Sequence, residues 1–236
     1  PCPLALGAGV LLAGVGAVLI GGLSIRRRGI YFAMVTLALA QLVYYIFYQA
    51  EPITGGENGL RGVDVRTIAL GPVALDFLAP TVKYYFVLVF VSLALWCLSR
   101  VLESPFGAVL EAIRENETRA RACGFDVDGT KLAAFVLSGL FCGLAGGLKA
   151  MHLSIVPTEV LSYQTSGLVV IMALRGGMGT FFGPFVGAAV FLLIEDQVSL
   201  VTAHWQLVAG SLFMVFVLFF PGGIWGSLLQ WVGRAP

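Results

Sequence analysis

Charged side chains are scarce in this sequence: Asp, Glu, Lys and Arg together make up 11% of its 236 residues, whereas apolar residues make up 58%. A soluble domain usually carries about 25% charged residues, so this chain lacks the polar surface that a water-exposed globule needs. Its 14 basic and 13 acidic residues nearly cancel, which leaves no basic excess to neutralise phosphates and argues against a nucleic-acid partner. The composition is that of a membrane protein.

Histidine and cysteine are also few, and their spacing suits neither a metal site nor a disulfide framework. His152 and His204 are isolated, and the sequence contains no HExxH motif. The cysteines stand far apart without a CxxC pair, as small apolar packing residues do. We predict no metal ligands and no catalytic residues, because the apolar runs hold no convergent set of His, Asp, Glu or Ser. The cysteines are Cys2, Cys97, Cys123 and Cys142.

The beginning of the sequence does not resemble a signal peptide. It reads Pro1-Cys2-Pro3 and enters an apolar run directly, with neither an initiator Met nor a positively charged segment before it. We expect residues 1–236 to form a single transmembrane domain that lacks upstream membrane segments, as an N-terminally truncated fragment would.

Long apolar runs are the main feature of the sequence. A helix needs about 20 mostly apolar residues to cross about 30 Å of hydrocarbon. Two shorter runs, 167–174 and 181–194, predict either two short crossings or one re-entrant hairpin, because irregular backbone is tolerated at membrane depth where it lines a cavity. The five runs that approach the full length are 4–23, 29–48, 83–98, 131–151 and 205–220.

The placement of basic residues favours about seven crossings in an all-α transmembrane bundle. Cytoplasmic loops of membrane proteins are enriched in Lys and Arg. If the run 26–28, which is three arginines, lies inside, then the basic loop 99–131 also lies inside. A hairpin in place of two short crossings would leave Arg234 outside, so two crossings fit better. The same count predicts an amino end outside the membrane and a carboxyl end in the cytoplasm.

The loop 99–131 is the longest polar stretch, and its pattern predicts a helix over 104–124. Ser104 can cap this helix, Pro105 suits its first turn, and Gly124 can end it in a left-handed conformation. Apolar residues recur at intervals of three, four and seven and so form one stripe. The stripe consists of Phe106, Val109, Leu110, Ile113 and Ala120.

Two functions are open for this amphipathic helix. Glu115 with Arg119, and Glu117 with Arg121, place opposite charges four residues apart in the favourable order. An interfacial helix that lies among lipid headgroups is one interpretation. A docking helix for a cytoplasmic partner is the other, and the mixed signs of the polar face favour it, because lipid-seeking helices are enriched in Lys and Arg.

The segment 104–124, with Lys131-Leu-Ala-Ala-Phe135 after it, resembles the cytoplasmic coupling segment of branched-chain amino acid ABC transporter permeases of the LivM type. The resemblance covers nearly the whole chain, and the coupling segment is its most specific part. The other stretches that agree, in order, are Gly29-Ile-Tyr-Phe-Ala33 with Thr36-Leu37, Thr54-Gly-Gly-Glu-Asn-Gly-Leu60, Gly176-Gly-Met-Gly-Thr180 with Gly183-Pro184 and Gly187-Ala188, and Phe220-Pro-Gly-Gly-Ile-Trp-Gly226.

The resemblance implies a permease subunit in a bacterial inner membrane rather than an enzyme. Its partners would be a LivH-type permease subunit, two cytoplasmic ATPase subunits that bind ATP and Mg²⁺, and a periplasmic or extracellular substrate-binding protein. This sequence has no Walker motif, as expected if a partner hydrolyses ATP, and no cofactor is implied for this chain. Glu111 departs from the family pattern, which has a basic residue more often. The coupling surface carried over is Gly107, Ala112, Arg114, Glu115, Asn116, Ala120 and Gly124.

Two sets of residues are candidates for a substrate path. Thr36, Gln41 and Tyr44 are polar or amphipathic positions within the second apolar run; they either line a cavity or bond a neighbouring helix. A glycine cluster permits either an unwound break that exposes backbone groups to a zwitterion or merely close helix packing. Its members are Gly176, Gly177 and Gly179.

ATP-driven import of a hydrophobic amino acid by alternating access is therefore the leading functional interpretation. Relatives in the family carry urea, short amides or other amino acids, and the sequence does not name the cargo. An ATP-independent carrier or channel is the alternative from another class. Carriers commonly need carboxylates within the membrane, whereas Asp and Glu here lie almost entirely in loops or at the ends of apolar runs.

Overall fold

The computed structural model describes residues 2–27, 29–62, 67–70, 73–76, 79–177, 180–201 and 210–211. The chain divides into two units, 1–162 and 163–236. In chain order the helices of the first unit are α1 (Cys2–Ser24), α2 (Ile30–Gln49), α3 (Glu51–Thr54), α4 (Pro80–Leu102), α5 (Pro105–Glu115), α6 (Glu117–Ala122) and α7 (Val127–Leu153). Its strands are β1 (Leu60–Arg61), β2 (Thr67–Leu70), β3 (Val73–Asp76) and β4 (Ile155–Val156), and Gly56–Asn58 and Thr158–Leu161 are 3₁₀ helices.

Four helices of the described residues, α1, α2, α4 and α7, are long and apolar enough to cross a membrane. They coincide with the first four predicted apolar runs: α1, α4 and α7 extend their runs by three to seven residues, and α2 has the same length as its run, shifted by one residue. A helix of 20 residues, the length of α2, spans about 30 Å, which is the thickness of the hydrocarbon core. The polytopic helical architecture is confirmed, whereas the count of seven crossings is not. The fifth predicted run, 205–220, lies outside the described residues except for 210–211.

Small residues set the packing of α1 against α7, which run antiparallel. A Cβ at Gly143 would lie 2.5 Å from the Ala13 Cβ, and one at Gly21 would lie 2.8 Å from the Phe135 ring. Backbones can approach this closely only where side chains are small, as in other membrane helix pairs. By contrast, a Cβ at Gly146 would meet nothing within 4 Å. The glycines of α7 that face α1 therefore carry the packing of this pair.

Short strands add a β component to the predicted all-α bundle. β1 and β4 pair antiparallel, with Leu60 opposite Val156, and join the segment after α2 to the segment after α7. The Thr158 hydroxyl also donates a hydrogen bond to the Gly56 carbonyl, 102 residues away in sequence. β2 and β3 form a second antiparallel pair, with Thr67 opposite Asp76. The first part of the segment after α2 is thus joined to the segment after α7.

The second unit contains a helical hairpin of α8 (Tyr163–Gly176) and α9 (Gly183–Val201). A Cβ at Gly187 would lie 2.6 Å from the Gly176 nitrogen and would also meet the Met172 carbonyl, so the two helices run antiparallel in close contact. With 14 residues, α8 spans about 21 Å, less than the hydrocarbon thickness. This hairpin is compatible with both interpretations of the two short runs.

Candidate coupling site and substrate path

The predicted helix over 104–124 is divided in two at Asn116. Asn116 has extended backbone angles, φ −156° and ψ 103°, and separates α5 from α6. Its side-chain oxygen accepts a hydrogen bond from the Arg119 backbone N–H at 3.0 Å, which caps α6. Arg119 therefore lies beyond the break from Glu115, and the ion pair predicted between these two does not form. The other predicted pair, Glu117 with Arg121, is present at 3.3 Å.

Both ends of the segment 104–124 lie where the sequence predicts them, but the hydrogen bond of its cap residue differs from the prediction. Pro105 occupies the first turn of α5, as expected, and Ser104 is its cap residue. The Ser104 hydroxyl does not bond the α5 amides but donates to the Val101 carbonyl at 2.6 Å. Gly124 has φ +89°. Its N–H donates to the Arg121 carbonyl, and the Phe125 N–H donates to the Ala120 carbonyl, the Schellman pattern that closes α6.

A small buried cluster holds α5 and α6 against the start of α7. Ile113, Ala120 and Val127 are 8%, 4% and 2% exposed, and Val109 packs on them. At the other end of α5, a Cβ at Gly107 would collide with the Leu102 carbonyl, so α5 approaches the end of α4 at backbone contact. Three residues of the predicted apolar stripe, Val109, Ile113 and Ala120, therefore face the protein's own helices.

Four charged side chains join α6 to the first turns of α7. The Lys131 ammonium lies 2.6 Å from the Glu117 carboxylate, and Arg121 bridges Glu117 and Asp128, the latter at 3.1 Å. Exposed pairs of this kind contribute at most about 1 kcal/mol each, so their main effect is to fix the orientation of α6. Asp126 adds a cap to α7 by accepting a hydrogen bond from the Gly129 N–H. α6 is thus joined to the first turns of α7 by ion pairs as well as by the buried cluster.

The predicted coupling residues fall into two groups by burial. Gly107 and Ala120 are buried within the chain, where they allow α5 and α6 to pack. The other members lie on the outside of the segment, where a partner can reach them. The exposed members are Ala112, Arg114, Glu115, Asn116 and Gly124. Glu111, which departs from the family pattern, is also exposed.

The predicted path residues of α2 have three different environments. The Thr36 hydroxyl donates to the carbonyls of Phe32 and Ala33, so its hydrogen bonds are satisfied within its own helix. The side-chain oxygen of Gln41 is buried without a hydrogen-bond partner among the described residues. Tyr44 lines a cavity. Tyr44 therefore borders an open space.

This cavity, of about 560 Å³, is lined mainly by aromatic and acidic side chains. The Tyr44 and Tyr48 rings stack with their centroids 5.9 Å apart, and the Tyr48 hydroxyl donates to the Glu57 carboxylate at 3.5 Å. Ring faces and carboxylates together attract cationic groups. Sequence reasoning missed this site because its walls come from residues far apart in sequence. The lining residues are Tyr44, Tyr45, Tyr48, Glu57, Thr158 and Glu159.

The glycine cluster lies where α8 ends. Gly176 is buried against Gly183 and Gly187 of α9, and Gly177 has φ +107°, a conformation that favours glycine. The Gly177 N–H donates to the carbonyls of Ala173 and Leu174. This geometry favours the packing interpretation for Gly176, and a substrate role for these glycines stays a prediction. Gly179 lies outside the described residues.

The long apolar helices and the folded segment at their ends define a polytopic helical membrane protein. The family model described as branched-chain amino acid transport system / permease component matches residues 1–220. The chain belongs to this family of ABC-type permeases, and the resemblance seen in the sequence is confirmed. The family consists of membrane permease components, and the long apolar helices make this chain a multi-pass inner-membrane protein.

Curated relatives share this class. The high-affinity branched-chain amino acid transport system permease protein LivM of Salmonella typhimurium is 30% identical over 92% of this chain and 55% of its own length. LivM of Escherichia coli is 28% identical over 91% of this chain and 55% of its own length. The ribose import permease protein RbsC of Haemophilus influenzae is 24% identical over 89% of this chain and 64% of its own length. This chain spans about half the length of the LivM relatives, and no solved structure matches it.

Proposed function

We propose that this chain is the greater part of a permease subunit that imports branched-chain amino acids by alternating access, driven by ATP hydrolysis in partner subunits. Residues 1–236 are taken as one transmembrane permease domain, and 104–124 as its coupling segment. The observation that carries the proposal is the construction of that segment. One side of α5 and α6 packs against α7 through Ile113, Ala120 and Val127. The other side is exposed, so a partner can bind it.

The proposed partners follow from the two sides of the coupling segment, one packed on α7 and the other exposed. One of two cytoplasmic ATPase subunits would bind the exposed side of α5 and α6, and the two ATPase subunits together would bind the ATP and Mg²⁺ that this chain is not expected to hold. A LivH-type permease subunit would complete the membrane pathway. The helices α2 and α4 bury none of their residues within the described part of the chain, which leaves room for such a subunit and for lipid. A periplasmic or extracellular binding protein would deliver the solute.

Two observations support a hydrophobic amino acid as the cargo. The relatives named for branched-chain amino acid transport, at 30% and 28% identity, exceed the ribose permease at 24%. The cavity at Tyr44 also combines ring faces with the carboxylates of Glu57 and Glu159, and this chemistry suits an ammonium group beside an apolar side chain. Urea, short amides and other amino acids are the alternative cargoes within the same mechanism.

Competition for uptake tests the cargo. In vesicles with the complete transporter and its binding protein, unlabelled leucine is expected to block labelled leucine uptake, whereas urea and ribose are not. Tyr44→Ala removes a ring face and is expected to raise the KM for leucine about fivefold, equivalent to about 1 kcal/mol. The matched control is Tyr31→Ala, an exposed tyrosine at the other end of α2. Equal inhibition by urea or ribose would contradict the proposed cargo.

We propose the orientation given by the basic residues, with the coupling segment in the cytoplasm. Cys123 is exposed at the end of α6, so it can report this orientation when the other cysteines are replaced by serine. A membrane-impermeant maleimide should label Cys123 only after the inner membrane is permeabilised. As the matched control, Asn58→Cys in the exposed turn after α2 should be labelled in intact spheroplasts. Labelling of Cys123 in intact spheroplasts would invert the proposed topology.

A further inference from the structure

A second cavity of about 560 Å³ lies beneath the turn between α1 and α2, on the side of the molecule that carries the coupling segment. Its walls come from the α1–α2 turn, α2, α5, α6 and α7, so the cavity lies between the coupling segment and the long apolar helices α2 and α7. Most of the wall is apolar. The lining residues are Ile25, Arg27, Gly29, Phe32, Leu110, Glu117, Lys131, Ala134 and Phe135.

Positive charge collects at one edge of this cavity. Arg27 lines it, and Arg26 lies beside it on the same turn and lines a neighbouring cavity of about 250 Å³. Both arginines are exposed, and neither takes part in the ion pairs found among the described residues. The Lys131 ammonium, in contrast, is engaged by Glu117 at 2.6 Å. The charges of Lys131 and Glu117 cancel. The net positive charge at the edge of the cavity therefore comes from Arg26 and Arg27.

We propose that this cavity binds one anionic phospholipid, with its phosphate at Arg26 and Arg27 and part of an acyl chain against Phe32, Ala134 and Phe135. Charge complementarity selects this occupant, because an apolar pocket at a membrane surface, with arginines that form no ion pair with the described residues, matches a lipid that has a negative headgroup. The volume also falls in the range of ligand-binding cavities. The bound lipid would brace α5 against α7 and so support coupling. This inference depends on the membrane topology and not on the cargo or the ATPase contact.

Native mass spectrometry of the full-length permease subunit, titrated with phosphatidylglycerol, tests the proposal. We expect one retained phosphatidylglycerol and much weaker retention of phosphatidylcholine. The double variant Arg26→Gln/Arg27→Gln should weaken phosphatidylglycerol binding about thirtyfold, from roughly 1 kcal/mol for each basic side chain at a membrane surface. The matched control is Arg100→Gln/Arg119→Gln, which removes the same charge from two exposed arginines that line neither cavity and should bind as the wild type does.

Further measurements distinguish an anionic phospholipid from other occupants of the cavity. Ala134→Phe fills the apolar wall without changing charge and should also reduce binding, with the melting temperature of the variant confirming that it is folded. Glycerol phosphate alone should not compete. Equal retention of phosphatidylcholine, unchanged binding by the arginine variant, or full competition by glycerol phosphate would overturn the proposal. Binding that is lost when the complete transporter is assembled would assign the cavity to a protein segment and would likewise overturn it.

Discussion

Replacing Ala112 with tryptophan is expected to stop ATP-driven uptake while leaving the permease folded. Ala112 is exposed on α5 and lies outside the buried cluster of Ile113, Ala120 and Val127, so added bulk meets a partner and not the chain's own core. A handful of central contacts in a protein interface contribute about 2 kcal/mol or more each, and we expect a tryptophan at Ala112 to disrupt contacts of that size. We therefore expect about thirtyfold weaker retention of the ATPase subunits by Ala112→Trp, measured by copurification and by uptake in vesicles.

Ala112→Ser is the matched control, because it keeps the small volume and should retain both partner and uptake. The melting temperature of the purified subunit should be the same for both variants. This site is a cleaner test than Gly107, where any side chain collides with the Leu102 carbonyl and would disturb the chain itself. If Ala112→Trp keeps its ATPase subunits and its uptake rate, α5 is not the docking surface.

The second large effect is expected for Gly187→Val. A Cβ at this position would meet the Met172 carbonyl and would lie 2.6 Å from the Gly176 nitrogen, and backbone atoms cannot rotate away as side chains do. Forcing extra atoms into a packed contact costs about 1–3 kcal/mol, occasionally more, so we expect a destabilisation of about 3 kcal/mol. The measurement is the thermal unfolding midpoint of the purified permease in detergent, together with its amount in the membrane.

Gly167→Val is the control for this change. Gly167 lies in α8 of the same hairpin, and a Cβ there would meet nothing within 4 Å. Both variants replace a helical glycine with the same residue, so their difference isolates the contact between α8 and α9. Equal midpoints would show that these helices are not tightly packed, which would favour the unwound, substrate-exposing interpretation of the glycine cluster.

Hydrophobic run length predicted the long helices well. α1, α2, α4 and α7 match the apolar runs because a stretch of about 20 mostly apolar residues is the pattern that a spanning helix requires. The end of α6 was also predictable, since Gly124 is the residue type that a left-handed helix terminus prefers. The division at Asn116 had a local signal that the stripe concealed: asparagine is a strong cap residue, and Glu117 in the first turn after it favours a new helix start.

Other features depend on contacts that no local pattern encodes. The cavity at Tyr44 requires the turn at Gly56 to meet Thr158 across 102 residues of sequence. The partition of the coupling residues into buried Gly107 and Ala120 and exposed Ala112 follows from how α5 and α6 pack on α4 and α7. A helical stripe alone predicts that one side is covered, but it does not say whether lipid, a partner or the chain's own helices cover it.

The most direct test of the account is whether transport requires ATP hydrolysis by a partner. Proteoliposomes would contain the full-length permease with its paired permease subunit, either with or without the ATPase subunits, and labelled leucine would be supplied with the binding protein. The account predicts uptake only when the ATPase subunits and ATP are both present, and a background rate with a non-hydrolysable ATP analogue. Uptake at the full rate without ATPase subunits would contradict it.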